Sequence, residues 1–140
     1  MWVLAIVPAL ALAALGPDLQ KSLGESKFIY IQSTRKSGEL SEPAEMWFLY
    51  DGGKIYVGTR PTSWRDKRIK WGRKKAHITV GKPGGPALDA VGEIIHDPAL
   101  EGHLMDAYAK KYPDLWPTYR PHYVEGFPTG ARILIRYTPK

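Results

Sequence analysis

Residues 58–68, Gly-Thr-Arg-Pro-Thr-Ser-Trp-Arg-Asp-Lys-Arg, hold the side chains best suited to chemistry, and that chemistry is the capture of an anion. Thr59 and Ser63 offer hydroxyl donors, and Arg65 offers a charge-assisted, bidentate pair of N–H groups. One such ionic hydrogen bond contributes about 1.5–3 kcal/mol net, so several converging on one phosphate would hold it firmly. Pro61-Thr62-Ser63 breaks a preceding strand, and Ser63 is a good N-cap for a helix predicted over residues 64–72. A helix start presents unsatisfied N–H groups and a partial positive charge, which suits phosphate. Arg60, Lys67 and Arg68 are secondary candidates beside it. Read from the residues alone, the same segment also fits a solvated basic helix that Ser63 caps. Less well, it also fits a nucleic-acid surface on which Trp64 and Trp71, seven residues apart on one helix face, stack against bases.

Other constellations carry less. His77, His96, His103 and His122 lack metal-ligand spacing, and His77 fits the solvent face of a strand. Asp97, followed by Pro98, reads as a helix cap. Glu42, Glu45 and Asp51 could pair as acid and base, but nothing in their spacing requires it. No Ser/His/Asp arrangement has the context of an activated nucleophile. The chain has no cysteine, which excludes disulfides, cysteine-ligated zinc, iron–sulfur clusters and a thiol nucleophile, and leaves the compartment open.

The elements that must position these groups fit one domain with one core, given 140 residues. Apolar residues at 44% and charged residues at 24% are ordinary for a globular protein. The net charge of +6 favours an anionic partner, and it is concentrated. Arg60, Arg65, Lys67, Arg68, Lys70, Arg73, Lys74 and Lys75 are opposed only by Asp66. Residues 1–16 carry no charged side chain and have the length of a signal-peptide apolar region, with Ala11, Ala13 and Ala14 near its end but no basic start. They are too short to span a bilayer comfortably, which takes about 20 residues. They fit an export signal, a weak anchor or an apolar helix docked on the domain at 17–140, which leaves cytoplasmic and exported locations open.

Pro17 opens a short predicted helix to Gly24. Residues 27–34, 44–50 and 54–59 read as three strands of a meander, with Asp51-Gly52-Gly53 as a hairpin turn. Residues 76–81 and 87–96 are a fourth and fifth strand around Lys82-Pro83-Gly84-Gly85-Pro86, and Asp97-Pro98 opens a helix to Lys111. Residues 112–129, with four prolines, read as an extended connection with room for a short helical turn, and residues 131–138 alternate as a sixth strand.

In this order the pieces resemble the pyridoxamine 5′-phosphate oxidase-like, FMN-binding split β-barrels, and more closely their short members, over residues 27–137. The resemblance rests on Trp47-Phe48-Leu49-Tyr50, the turn at Asp51-Gly52-Gly53 and the run Tyr56-Val57-Gly58-Thr59. It continues through Ser63-Trp64-Arg65, with the family's Thr…Ser-x-basic spacing, and Gly92 with Asp97-Pro98. It implies a mainly β domain with flanking helices, a six-stranded antiparallel split β-barrel. It implies FMN, its phosphate on Thr59, Ser63 and Arg65, with Gly58, Arg60, Trp64, Lys67 and Arg68 close by. The ring system and ribityl chain would lie along residues 43–48, near Met46 and Trp47, largely through backbone contacts. The oxidase carries basic residues at the ends of that strand, where this chain has Pro43 and Phe48. F420 and haem, used by related barrels, therefore stand as alternatives to FMN. The activity implied is flavin-dependent oxidation and reduction, with the flavin moving a hydride or electron and no diagnostic catalytic side chain. A non-catalytic flavin or haem store is the alternative. The family's homodimers, with the cofactor between subunits, fit the many large rings here, Trp47, Trp64, Trp71 and Trp116 among them. On this reading nucleic acid is not a partner, and a membrane is met only through residues 1–16.

Overall fold

The computed structural model describes residues 15–140, so the segment at residues 1–16 lies outside the described residues except for Leu15 and Gly16. In chain order the elements are α1 (Pro17–Glu25), β1 (Ile29–Ser33), β2 (Ala44–Met46), β3 (Leu49–Asp51) and β4 (Lys54–Thr59). There follow α2 (Trp64–Lys70), β5 (Lys75–Val80), β6 (Ala87–Ile95), α3 (Pro98–Lys111), α4 (Trp116–Thr129) and β7 (Ile133–Pro139). Every strand pairing is antiparallel, in one sheet of order β2-β1-β5-β6-β7-β4-β3.

The two edge strands of that sheet, β2 and β3, are consecutive in the chain, with only Trp47 and Phe48 between them. Three Cα–Cα steps span at most about 11 Å, so the sheet has to curl until its edges almost meet. This is a split barrel, as expected, with seven strands instead of six. The difference lies at residues 44–50. They do not form the middle strand of a meander; β2 pairs with β1, β3 pairs with β4, and the chain crosses from one edge to the other between them.

Helix α3 holds that crossing. A buried backbone needs partners for its N–H and C=O groups, and a chain leaving one edge for another has no strand beside it. Two side chains of α3 and that of its C-cap, Tyr112, supply them. Tyr108 Oη donates to the Trp47 carbonyl at 3.0 Å. Tyr112 Oη accepts from Phe48 N at 3.2 Å and donates to the Lys27 carbonyl. Lys111 Nζ donates to the Phe48 carbonyl at 2.8 Å. Spacings of three and four residues put all three on one helix face.

Alternation along the strands divides the apolar residues between two clusters. Ile29, Ile31, Ile55, Val57, Ile78, Val80 and Ile135 fill the barrel, which Leu23 of α1 and Ile69 of α2 help close. Tyr56 and Leu134 point outward into a second, aromatic cluster with Leu104, Tyr108, Trp116, Tyr123 and Phe127 of α3 and α4.

Residues 112–129 depart from the expected extended connection, because residues 116–129 are helical. Pro117 sits in the first turn, where a missing N–H costs nothing, while Pro121 and Pro128 lie inside the helix. Trp116, Tyr123 and Phe127 recur on one face and are all buried, and their burial outweighs the lost helical hydrogen bonds. Gly130, with φ of 84°, ends the helix in the left-handed conformation.

Candidate functional site

Strand β4 delivers Thr59, buried, to an open end of the barrel, and the turn over residues 60–62 brings the chain back as α2. Ser63 caps that helix, its Oγ accepting from Asp66 N at 3.2 Å. Ile69 anchors α2 in the barrel core, which aims Arg65 and Arg68 at the end of β1. Arg65 Nη2 donates to Thr59 Oγ1 at 2.9 Å, and Arg68 Nη1 donates to Ser33 Oγ at 2.8 Å. Ser41 Oγ in turn accepts from Ser33 N at 3.0 Å. Each guanidinium is thereby oriented by a hydroxyl. Arg65 Nε is buried without a hydrogen-bond partner.

The result is a cleft of about 270 Å³. Arg35, Arg65 and Arg68 converge on it, with Ser33, Ser41, Ala44 and Trp64 in its walls and Glu42 as its one carboxylate. Burial lowers the pKa of Arg65, and partial burial followed by the charges of Arg35 and Arg73 lowers that of Arg68. Among the described residues none of these three arginines is ion-paired to a carboxylate, and cations so placed make a site that an anion would relieve.

The sequence-predicted residues divide. Thr59, Ser63, Trp64, Arg65 and Arg68 come together here, but the two expected hydroxyl donors are already engaged, Thr59 in orienting Arg65 and Ser63 in capping α2. Helix α2 has only seven residues, and the positive charge of this corner is carried by guanidiniums. Arg60 is exposed on the turn, and Lys67 lies over the Trp64 ring, 4.9 Å from its centroid; neither lines the cleft.

Gly58, Met46 and Trp47 border a second groove of about 390 Å³, between β2 and α4, with Phe28, Glu45, Leu115, Tyr119 and Tyr123. The Met46 side chain packs toward the barrel interior, whereas Trp47 joins the outer aromatic cluster. Trp47 stacks on Tyr112 at 4.2 Å and 9° between planes, and its carbonyl is taken by Tyr108. Of the other tryptophans, Trp116 is buried in that cluster, while Trp64 and Trp71 are exposed. His77 lies on an outer strand face, half-buried, with Nδ1 2.9 Å from Asp89 Oδ1 across β5 and β6. Asp97 caps α3 as expected, accepting from Ala99 N and Leu100 N.

The reading from sequence missed Ser33, Arg35 and Ser41 as cleft residues, and Tyr108, Lys111 and Tyr112 as the clamp on the crossing. Ser33 precedes Arg68 by 35 residues, and only the packing of α2 against the end of β1 makes them neighbours. The spacing Tyr108–Lys111–Tyr112 on a helix is visible in the sequence, but the backbone it serves is more than 60 residues away.

No protein-family model matches the sequence, and no curated protein matches it. Solved structures do match in three dimensions. HutZ, a heme storage protein from Vibrio cholerae, superposes with a TM-score of 0.62 at 13% identity, covering 90% of each chain. A candidate pyridoxamine 5′-phosphate oxidase from Listeria innocua gives a TM-score of 0.62 at 12% identity over 88% of this chain and 91% of that one. An F420 reductase gives 0.55 at 20% identity over 86% and 92%. At these identities the likeness is one of fold. The curled sheet, the crossing between its edges and these superpositions together give the chain the split-barrel fold that these structures share.

Proposed function

We propose that this chain binds the phosphate end of a flavin coenzyme, FMN, in the arginine cleft and serves as a flavin-dependent oxidoreductase. The observation that carries the reading is the convergence of Arg35, Arg65 and Arg68, two of them oriented by hydroxyls and one with a buried Nε left without a partner. The donor set fits a phosphate, since guanidinium forks match its oxygens two at a time. Beyond the phosphate, β2 pairs on one side only, and it runs from Ala44 at the cleft to Met46 at the second groove. Its free edge offers backbone donors and acceptors to a ribityl chain and ring system. When bound, the flavin would supply hydride or electron transfer, and the chain's task would be to hold and orient it.

The likeness to an F420 reductase and to a heme storage protein keeps those ligands as the competing reading. No histidine lines the cleft or the groove beside it, which favours a phosphate-bearing ligand over an iron-bound one. A homodimer is part of the proposal: α3 and α4 cover the outer faces of β4 and β7, while outward side chains of β1 and β5 such as Tyr30, Gln32 and His77 stay only half-buried.

Titration with FMN and with riboflavin, which has the same ring system and no phosphate, tests the site. Arg65→Ala and Arg68→Ala are each expected to weaken FMN about ten-fold or more, the loss of one ionic hydrogen bond, and to leave riboflavin unchanged. Equal loss for both ligands, or none, refutes the phosphate role. A Soret band in the purified protein would assign haem in place of flavin, and elution as a monomer in size-exclusion chromatography would refute the dimer.

A further inference from the structure

The outer side of α2 and its C-cap carries two large apolar side chains side by side, one of them, Trp64, also walling the arginine cleft. Trp64 and Trp71 are each 57% exposed, with ring centroids 6.3 Å apart. Single exposed rings are ordinary, but an adjacent pair ringed by charge marks a contact surface. Within residues 60–75 the exposed charge is of one sign. Lys67, Arg68, Lys70, Arg73 and Lys74 surround the pair, and Asp66, the only carboxylate between residues 60 and 75, is completely buried.

Three occupants can be weighed. A second copy related by a two-fold axis would set these cations against their own images, which is repulsive. Single-stranded nucleic acid needs bare ring faces on which bases can stack. Here the rings are inclined at 60°, Lys67 and Arg68 lie 4.9 and 5.1 Å from the Trp64 centroid, and Arg73 lies 5.3 Å from that of Trp71. An anionic bilayer surface asks for neither parallel rings nor bare faces. Indoles settle in the headgroup layer with body and N–H both satisfied, and lysines and arginines around them face the lipid phosphates.

We infer that the outer face of residues 64–74, centred on Trp64 and Trp71, docks peripherally on an anionic lipid bilayer. Helix α1 leads into the start of β1, whereas Arg68 and Arg73 bond to Ser33 and Thr34 at its other end. Five residues of strand, about 17 Å, separate the end of α1 from this face.

The test is co-sedimentation of the full chain with vesicles of phosphatidylcholine alone or with about one-third phosphatidylglycerol. Binding is expected to the anionic vesicles only, and to fall about ten-fold or more when salt rises from about 0.05 M to about 0.5 M. Lys74→Glu changes two charges, at about five-fold each, so partitioning should fall about 25-fold. Trp71→Ala should lower it about ten-fold and reduce the blue shift in tryptophan emission on binding, leaving the part that Trp64 contributes. Neither residue lines the arginine cleft, and unchanged thermal melts of the variants show that the fold is intact. Equal binding to neutral vesicles, or partitioning indifferent to both substitutions, overturns the inference and points to residues 1–16. Capture of oligothymidylate in preference to anionic vesicles at the same salt overturns it in favour of nucleic acid.

Discussion

Replacing Tyr112 by Phe removes one oxygen atom and leaves the ring, its stack on Trp47 and its edge contact with Tyr108 in place. The oxygen lost accepts from Phe48 N and donates to the Lys27 carbonyl. The two partners do not suffer equally. Lys27 is exposed, so water can take over its carbonyl at small cost. Phe48 is fully buried, so its N–H is left without a partner, which costs about 1–3 kcal/mol. The sum is a destabilisation of about 1–3 kcal/mol. For a chain of 140 residues this lowers Tm by about 3–10 °C. Urea unfolding measures it directly: the midpoint should fall with an unchanged slope. Hydrogen exchange adds a local readout, since the Phe48 amide should lose protection before the amides of β6 do. Tyr119→Phe, at an exposed ring, is the control and should stay within about 0.5 kcal/mol. A loss below about 0.5 kcal/mol for Tyr112→Phe would refute the claim that α3 stands in for a missing strand at the crossing.

Three further outcomes are expected. Gly58→Ala puts a Cβ 2.7 Å from Tyr123 Cε1, inside the packed aromatic cluster, and should cost about 1–3 kcal/mol in urea unfolding; a neutral result would mean that the cluster gives way easily. Ser63→Ala removes a helix cap and should cost about 1 kcal/mol of stability while leaving FMN affinity within about two-fold, because the Oγ is engaged by Asp66 N; a ten-fold loss of affinity would show that Ser63 serves the ligand instead. Burial lowers the Lys111 pKa to about 8, below its ordinary value, so between pH 8 and about 10 the unfolded chain binds more protons and stability should rise with pH. Burial raises Tyr108, Tyr112, Tyr123 and Tyr137, so above about pH 10 the unfolded chain loses protons first and stability should fall. The rise, roughly 1 kcal/mol after solvent screening at the partly exposed ammonium, should vanish in Lys111→Met; urea midpoints across that range check it.

The sequence by itself determined what local rules determine. Alternation of β-branched and aromatic residues marked β1, β4, β5, β6 and β7, and Ser63 and Asp97 marked the starts of α2 and α3. These signals are local because the pleat of a strand and the unpaired first turn of a helix are local. The concentration of cations after β4 was equally plain, and Thr59, Arg65 and Arg68 do meet at one corner. What only the tertiary structure decided depends on groups far apart in the chain. Residues 44–50 have the composition of one continuous strand, yet they break at Trp47-Phe48 because tyrosines and a lysine of α3 capture that backbone. Residues 116–129 carry prolines that argue against a helix, yet they form one because a buried face of Trp116, Tyr123 and Phe127 outweighs the missing hydrogen bonds. Ser33 and Arg35 joined the cleft because antiparallel pairing carried the end of β1 to α2. A hydroxyl's partner is fixed by whatever the fold sets beside it, and that is why Thr59 and Ser63 turned out to orient the site's framework.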